Sequence, residues 1–99
     1  MSFSQIRYFV AVADEGHVGR AAKVVHVAQP ALSRQIRELE DELGTPLFKR
    51  TPKGMQLLPE GAVMLTHARA ILASLDDAVL AVRRASDPQN VLTLPRRPG

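Results

Sequence analysis

The side chains able to do chemistry in this 99-residue chain fall into two polar groups. The first is Gln29, Pro30, Ser33, Arg34 and Arg37, and the second is Arg50, Thr51 and Lys53. A glutamine amide can pair bidentately with adenine and an arginine guanidinium with guanine, each worth ~1–3 kcal/mol of discrimination. Pro30 offers apolar contact to a thymine methyl, while Arg50, Thr51 and Lys53 suit phosphate oxygens. Each feature also has an ordinary explanation when taken alone. Arg34 and Arg37 suit a solvated helix face, Gln29 a helix opening, and a charged hairpin tip a sheet edge kept soluble.

Catalytic chemistry finds no such support. The chain has no cysteine, which excludes disulfides, thiolate catalysis and cysteine-based zinc sites. His17, His26 and His67 are too scattered for a metal set. The adjacent acids Asp14-Glu15 and Asp76-Asp77 point about 100° apart on a helix and do not make a two-carboxylate acid–base site. With no phosphate loop either, neither an enzyme nor a cofactor is expected.

The elements that position the two groups follow from periodicity. Ser2 is a good N-cap and Gln5 completes a capping box for a first helix, Phe3 to about Asp14, with Phe3, Ile6, Phe9, Val10 and Ala13 at helical spacing. Gly16 offers its left-handed stop. A short second helix runs from Val18 to about His26, its apolar face Val18, Ala21, Ala22 and Val25. Only Val27 to Gln29 separate it from a third helix, Pro30 to about Leu43, ended by Gly44. Leu32, Ile36, Leu39 and Leu43 share one narrow arc of that helix, whereas Pro30, Ser33, Arg34 and Arg37 lie on another. Leu47–Arg50 and Met55–Leu58 then read as short strands around Thr51-Pro52-Lys53-Gly54, a type I turn with Lys53 at its tip.

A long helix from Pro59 to about Arg84 carries Leu65, Ala68, Leu72, Leu75, Val79 and Val82 at alternating spacings of three and four, a heptad seam widened by Ile71. The seam could bury against its own domain, but its length favours a partner helix from a second copy. Two short helices joined by a tight turn, then a basic-tipped hairpin, describe a mainly α winged helix-turn-helix followed by a long dimerisation helix. Residues 1–58 are expected to form the winged domain, 59–85 the linker and dimerisation helix, and 86–99 a linker or disordered tail, with Val91–Leu94 a fragment of strand.

Composition agrees with this reading. The 45% apolar and 23% charged fractions are those of a globular chain. At 4% aromatic and without Trp, the chain favours small packed helices over a sandwich or barrel. Residues 1–59 hold eight Lys/Arg against six Asp/Glu, yet no acid occurs between Leu43 and Pro59, where Lys49, Arg50 and Lys53 fall within five residues. The acids gather at Asp14-Glu15, Glu38–Glu42 and Asp76-Asp77, which keeps one face basic. No apolar run reaches the 18 residues of a membrane span, and Arg7 interrupts the apolar N-terminus, so a cytoplasmic protein is expected.

The stretch Arg20–Gly44, followed by Leu47–Gly54, Pro59-Glu60-Gly61 and the opening Ile6–Gly16, closely resembles the DNA-binding domain of LysR-type transcriptional regulators. The resemblance covers roughly residues 1–86. It implies a bacterial dimer whose long helices pack antiparallel and present two recognition helices to an inverted-repeat site on double-stranded DNA. It further implies DNA contacts at Gln29, Pro30, Ser33, Arg34, Arg50 and Lys53. Two departures stand out. Where the family usually has Ser-Phe-Thr before the second helix, this chain has His17-Val18-Gly19, implying loss of a capping hydroxyl and a phosphate contact, and weaker affinity. Ala28 replaces a common capping Ser. Family members continue into an effector-binding domain that is absent here, so no small-molecule effector is expected. The alternative to a DNA-binding dimer is a truncated interaction module that pairs with full-length regulators.

Overall fold

The computed structural model describes residues 1–89 of the chain. The order is α1 (Phe3–Glu15), α2 (Val18–Val24), α3 (Gln29–Leu43), β1 (Phe48–Thr51), β2 (Gly54–Leu57) and α4 (Pro59–Ala85). Val91–Leu94 lie outside the described residues, as does most of the expected tail.

α1 begins as its cap residue dictates: Ser2 Oγ accepts from the Gln5 N–H at 3.1 Å. The second half of the expected capping box does not form. Gln5 instead donates its amide Nε2 to Gln35 Oε1 at 3.0 Å, tying α1 to α3, and its own Oε1 is buried without a protein partner. Gly16 ends the helix at φ 67, returning its N–H to the Val12 carbonyl.

α2 stops earlier than its apolar spacing predicts. His26, expected inside the helix, adopts φ 58, and the Val27 N–H reaches back to the Ala22 carbonyl at 3.1 Å. That six-to-one bond around a left-handed residue is a Schellman ending. It lengthens the turn and lets α3 begin at Gln29, with Pro30 in the first turn and no side-chain cap from Ala28. The strands sit within one residue of expectation. Their antiparallel register pairs Phe48 with Leu57, Lys49 with Gln56, Arg50 with Met55 and Thr51 with Gly54, leaving Pro52-Lys53 as the loop.

One apolar core joins these pieces. Phe9 and Val12 from α1, Leu32, Ile36 and Leu39 from α3, and Leu47 before β1 are all under 2% exposed. The Phe9 and Phe48 rings lie 5.3 Å apart and tilted, which fastens the hairpin to α1. Phe3 and Leu43, expected on apolar faces, are instead 50% and 38% exposed at the helix ends. Glu40 anchors the base of the hairpin, its Oε2 accepting from the Leu47 N–H at 2.7 Å and the Phe48 N–H at 3.4 Å.

The core does not end at residue 58. Ala68 of α4 is completely buried in it, and Met64, Leu65 and Leu72 pack against it. At the entry to α4 a Cβ on Gly61 would overlap the Leu47 carbonyl, so the helix can start close under β1 only with glycine there. Asp14 of α1 pairs with Arg69 of α4 at the surface; the hydrogen bond, then the carboxylate charge, raises the Arg69 pKa above its ordinary value. Beyond Leu75 the packing ceases, and every α4 residue from Asp76 onward is exposed.

Candidate nucleic-acid interface

The polar groups singled out by type come together at the start of α3 and on the hairpin. Gln29, Pro30, Arg34 and Arg37 are exposed on α3 and Ser33 is half-buried beside them, while the opposite face carries Leu32, Ile36 and Leu39 into the core. This division follows from the 3.6-residue repeat: burying one arc leaves the other in water. The hairpin brings Arg50 against the same end of α3. A cleft of about 190 Å³ lies between the first residues of α2, the first of α3 and the strands, with His17, Gln29, Arg50 and Thr51 among its walls. Lys53 is exposed at the loop tip.

Backbone contacts fix the hairpin in this position. The Met55 N–H donates to the Gly16 carbonyl at 3.0 Å, docking β2 on the α1–α2 corner. Gly54 permits the approach, because at φ 128 its missing Cβ would overlap that carbonyl oxygen. Thr51, expected on phosphate, is half-buried and closes the loop. Its hydroxyl donates to the Gly54 carbonyl at 2.8 Å and accepts from the Lys53 N–H at 3.3 Å, so its only hydrogen is already used.

Charge is distributed to suit an anionic partner. Among the described residues Arg20 and Arg69 pair with Glu15 and Asp14, whereas Arg34, Arg37, Arg50 and Lys53 form no ion pair with a carboxylate. Unneutralised guanidinium and ammonium groups beside a convex helix end produce a local positive potential despite a net charge of only +3.

Two contributors escape a reading by residue type. His17 caps α2, its Nδ1 accepting from the Arg20 N–H at 3.3 Å, so the absent hydroxyl does not leave this helix uncapped. Gly19 keeps the ground beside it open. The available signal was a helix start without Ser, Thr, Asp or Asn, in which an imidazole nitrogen is the remaining acceptor.

The residues expected on the dimer seam divide between two surroundings. Ala68 has no exposed surface, and Leu65 and Leu72 are half-buried against their own core. Leu75 is half-buried, while Ile71, Val79 and Val82 are 38%, 41% and 69% exposed, with Leu80 alongside at 48%. Among the described residues no helix is long and apolar enough to cross a membrane, and no group of three His, Asp or Glu residues could hold a metal ion.

A family model described as bacterial regulatory helix-turn-helix protein, lysR family, matches residues 3–62, from the first residue of α1 into the first turn of α4. The chain belongs to the LysR family. Its relatives include the HTH-type transcriptional regulator TfdS of Cupriavidus pinatubonensis, 53% identical over 72 residues, covering 73% of this chain and 24% of TfdS. Another is BsdA of Bacillus subtilis, 48% identical over 88 residues, covering 88% of this chain and 30% of BsdA. The chain thus spans under a third of either regulator. Among solved LysR structures, the CbnR_DBD-DNA complex matches with TM-score 0.83 and 40% identity over 87% of this chain and 99% of that one. The BenM_DBD/catB site 1 DNA complex gives TM-score 0.85 and 38% identity over 88% and 97%. The architecture is that of a LysR winged helix-turn-helix domain followed by a long helix.

Proposed function

We propose that this chain is the DNA-binding part of a LysR-type transcriptional regulator, acting in the cytoplasm as a homodimer on an inverted-repeat site in double-stranded DNA. α3 enters the major groove, where Gln29 and Arg34 meet base edges, Pro30 a thymine methyl, and Ser33 and Arg37 the groove wall. The β1–β2 wing lies along the flanking backbone with Arg50 and Lys53 on phosphates and Thr51 shaping its tip. Residues 1–58 supply the reading surface, and the helix from 59 to 85 the dimer contact through its exposed outer half. The role is recognition, with no catalytic step. The observation that carries this reading is the cleft lined by both Gln29 and Arg50, flanked by cations that no carboxylate neutralises among the described residues. Domains of the same shape are complexed with DNA in the CbnR and BenM structures.

Selection of sites from a random duplex library with the purified chain at moderate salt tests it. Enrichment of an inverted repeat is the expected result. Salt-sensitive binding with no enriched motif would reduce the reading to nonspecific attachment. An absence of binding would favour the second reading, an interaction module that pairs with full-length regulators. That reading draws on the exposed apolar residues Val79, Leu80 and Val82.

A further inference from the structure

Gly19 stands where a side chain would meet two others. A Cβ at this position would lie 2.9 Å from His17 Cε1, 3.2 Å from His17 Nδ1 and 3.2 Å from Gln29 Oε1. The imidazole from the α1–α2 corner and the amide from the start of α3 therefore converge on one point, the space that Gly19 leaves open. The imidazole is held there by its bond from the Arg20 N–H at 3.3 Å. Both side chains also line the cleft that Arg50 borders from the wing. An exposed glutamine in the first turn of a helix would otherwise sample many rotamers, and ordering it on binding opposes association.

We propose that His17 and Gly19 together set the orientation in which Gln29 is presented, which makes His17 a positioning residue for base recognition. The inference rests on the DNA-binding reading of this chain. The two residues form a matched pair. With His17 in place a larger residue at 19 collides with the ring and with Gln29, and with a small residue at 17 the wall beside Gln29 is missing. His17 therefore carries two separable duties, the cap of α2 and the wall for Gln29.

His17→Asn separates them, because asparagine is a strong cap but a smaller wall. Thermal unfolding of the H17N chain is expected to match wild type. Discrimination at the base read by Gln29, measured on the enriched duplex and its single-base variants, is expected to fall about fivefold. In a Gln29→Ala background H17N should change nothing further. Gly19→Ala should disturb base preference in the wild-type chain, because its Cβ presses on both the ring and the Gln29 amide. Wild-type preference in H17N, or a uniform loss that adds to that of Q29A, would overturn the proposal and leave His17 a cap alone. A second measurement stands apart from DNA binding. NMR relaxation of the Gln29 side-chain amide in the free chain should show it ordered in wild type and mobile in H17N, and equal mobility in both would also sink the idea. Failure of the DNA-binding reading itself would appear differently, as a wild-type chain with no enriched site.

Discussion

His26 is held at φ 58 in the turn between α2 and α3, where a β-carbon crowds the following carbonyl oxygen. Glycine removes that crowding at the cost of a more flexible unfolded chain. His26→Gly is expected to stabilise the fold by about 0.5–1 kcal/mol, the relief of left-handed strain less the added entropy, as read by denaturant unfolding. At the reading surface two cations are expected to behave differently. Arg34→Ala should relax preference at one base position by ~1–3 kcal/mol, while Lys53→Ala should weaken every sequence alike and reduce the salt slope by about one. Titrations on the selected duplex at several salt concentrations distinguish the two. Residue types alone singled out Gln29, Arg34 and Arg50, which have obvious partners in DNA, and the fold exposes Gln29 and Arg34 on α3 with Arg50 lining the cleft beside Gln29. Those types did not reveal that the Thr51 hydroxyl is engaged in its own loop, and passed over His17 as a cap, because imidazole is an unusual one.

The wing is positioned as much by backbone as by side chains. Its second strand hangs on the Gly16 carbonyl, and Gly54 must lack a β-carbon for that bond to form. Gly54→Ala combines a disfavoured φ of 128 with that overlap, and is expected to destabilise by ~1–3 kcal/mol. The surviving folded protein should lose DNA affinity as Lys53→Ala does, because the loop tip shifts. Circular dichroism melts beside the duplex titration would show both effects. Phe9→Ala removes the ring that meets Phe48 and a completely buried side chain, and should cost about 3–5 kcal/mol in denaturant unfolding. The helices and strands themselves were legible because Ser2, Gly16, Pro30, Gly44 and Pro59 punctuate a strong periodicity. The early end of α2 was not. Its apolar spacing continues through Val25, and only the tertiary arrangement places His26 in a conformation usually left to Gly or Asn.

The two halves of α4 lie in different surroundings. Its first half completes the domain core through Ala68, Leu65 and Leu72, and its second half is exposed on every side from Asp76 on. Heptad spacing reveals a stripe but not which neighbour covers it, which is why residues packed on the protomer's own core and residues left exposed looked like a single seam in the sequence. A charge at Leu72 would disturb the protomer's own packing, so the assembly is better probed further out. Val79→Glu with Val82→Glu should leave the monomer's fold intact and shift sedimentation from dimer to monomer. A variant that still sediments as a dimer would place the contact elsewhere. The helix is continuous for 27 residues, or ~40 Å. In a dimer joined along its outer half, it becomes a lever arm with a reading head rigidly fixed at one end. With the contact centred near residue 80 the arm back to Pro59 is ~32 Å. A change of about 5° in the angle at which two such arms cross then moves one head relative to the other by ~3 Å, close to the rise of one base pair. The spacing between the two halves of an operator would then be chosen by a hinge far from any base, and any torque applied there would retune which promoters fit.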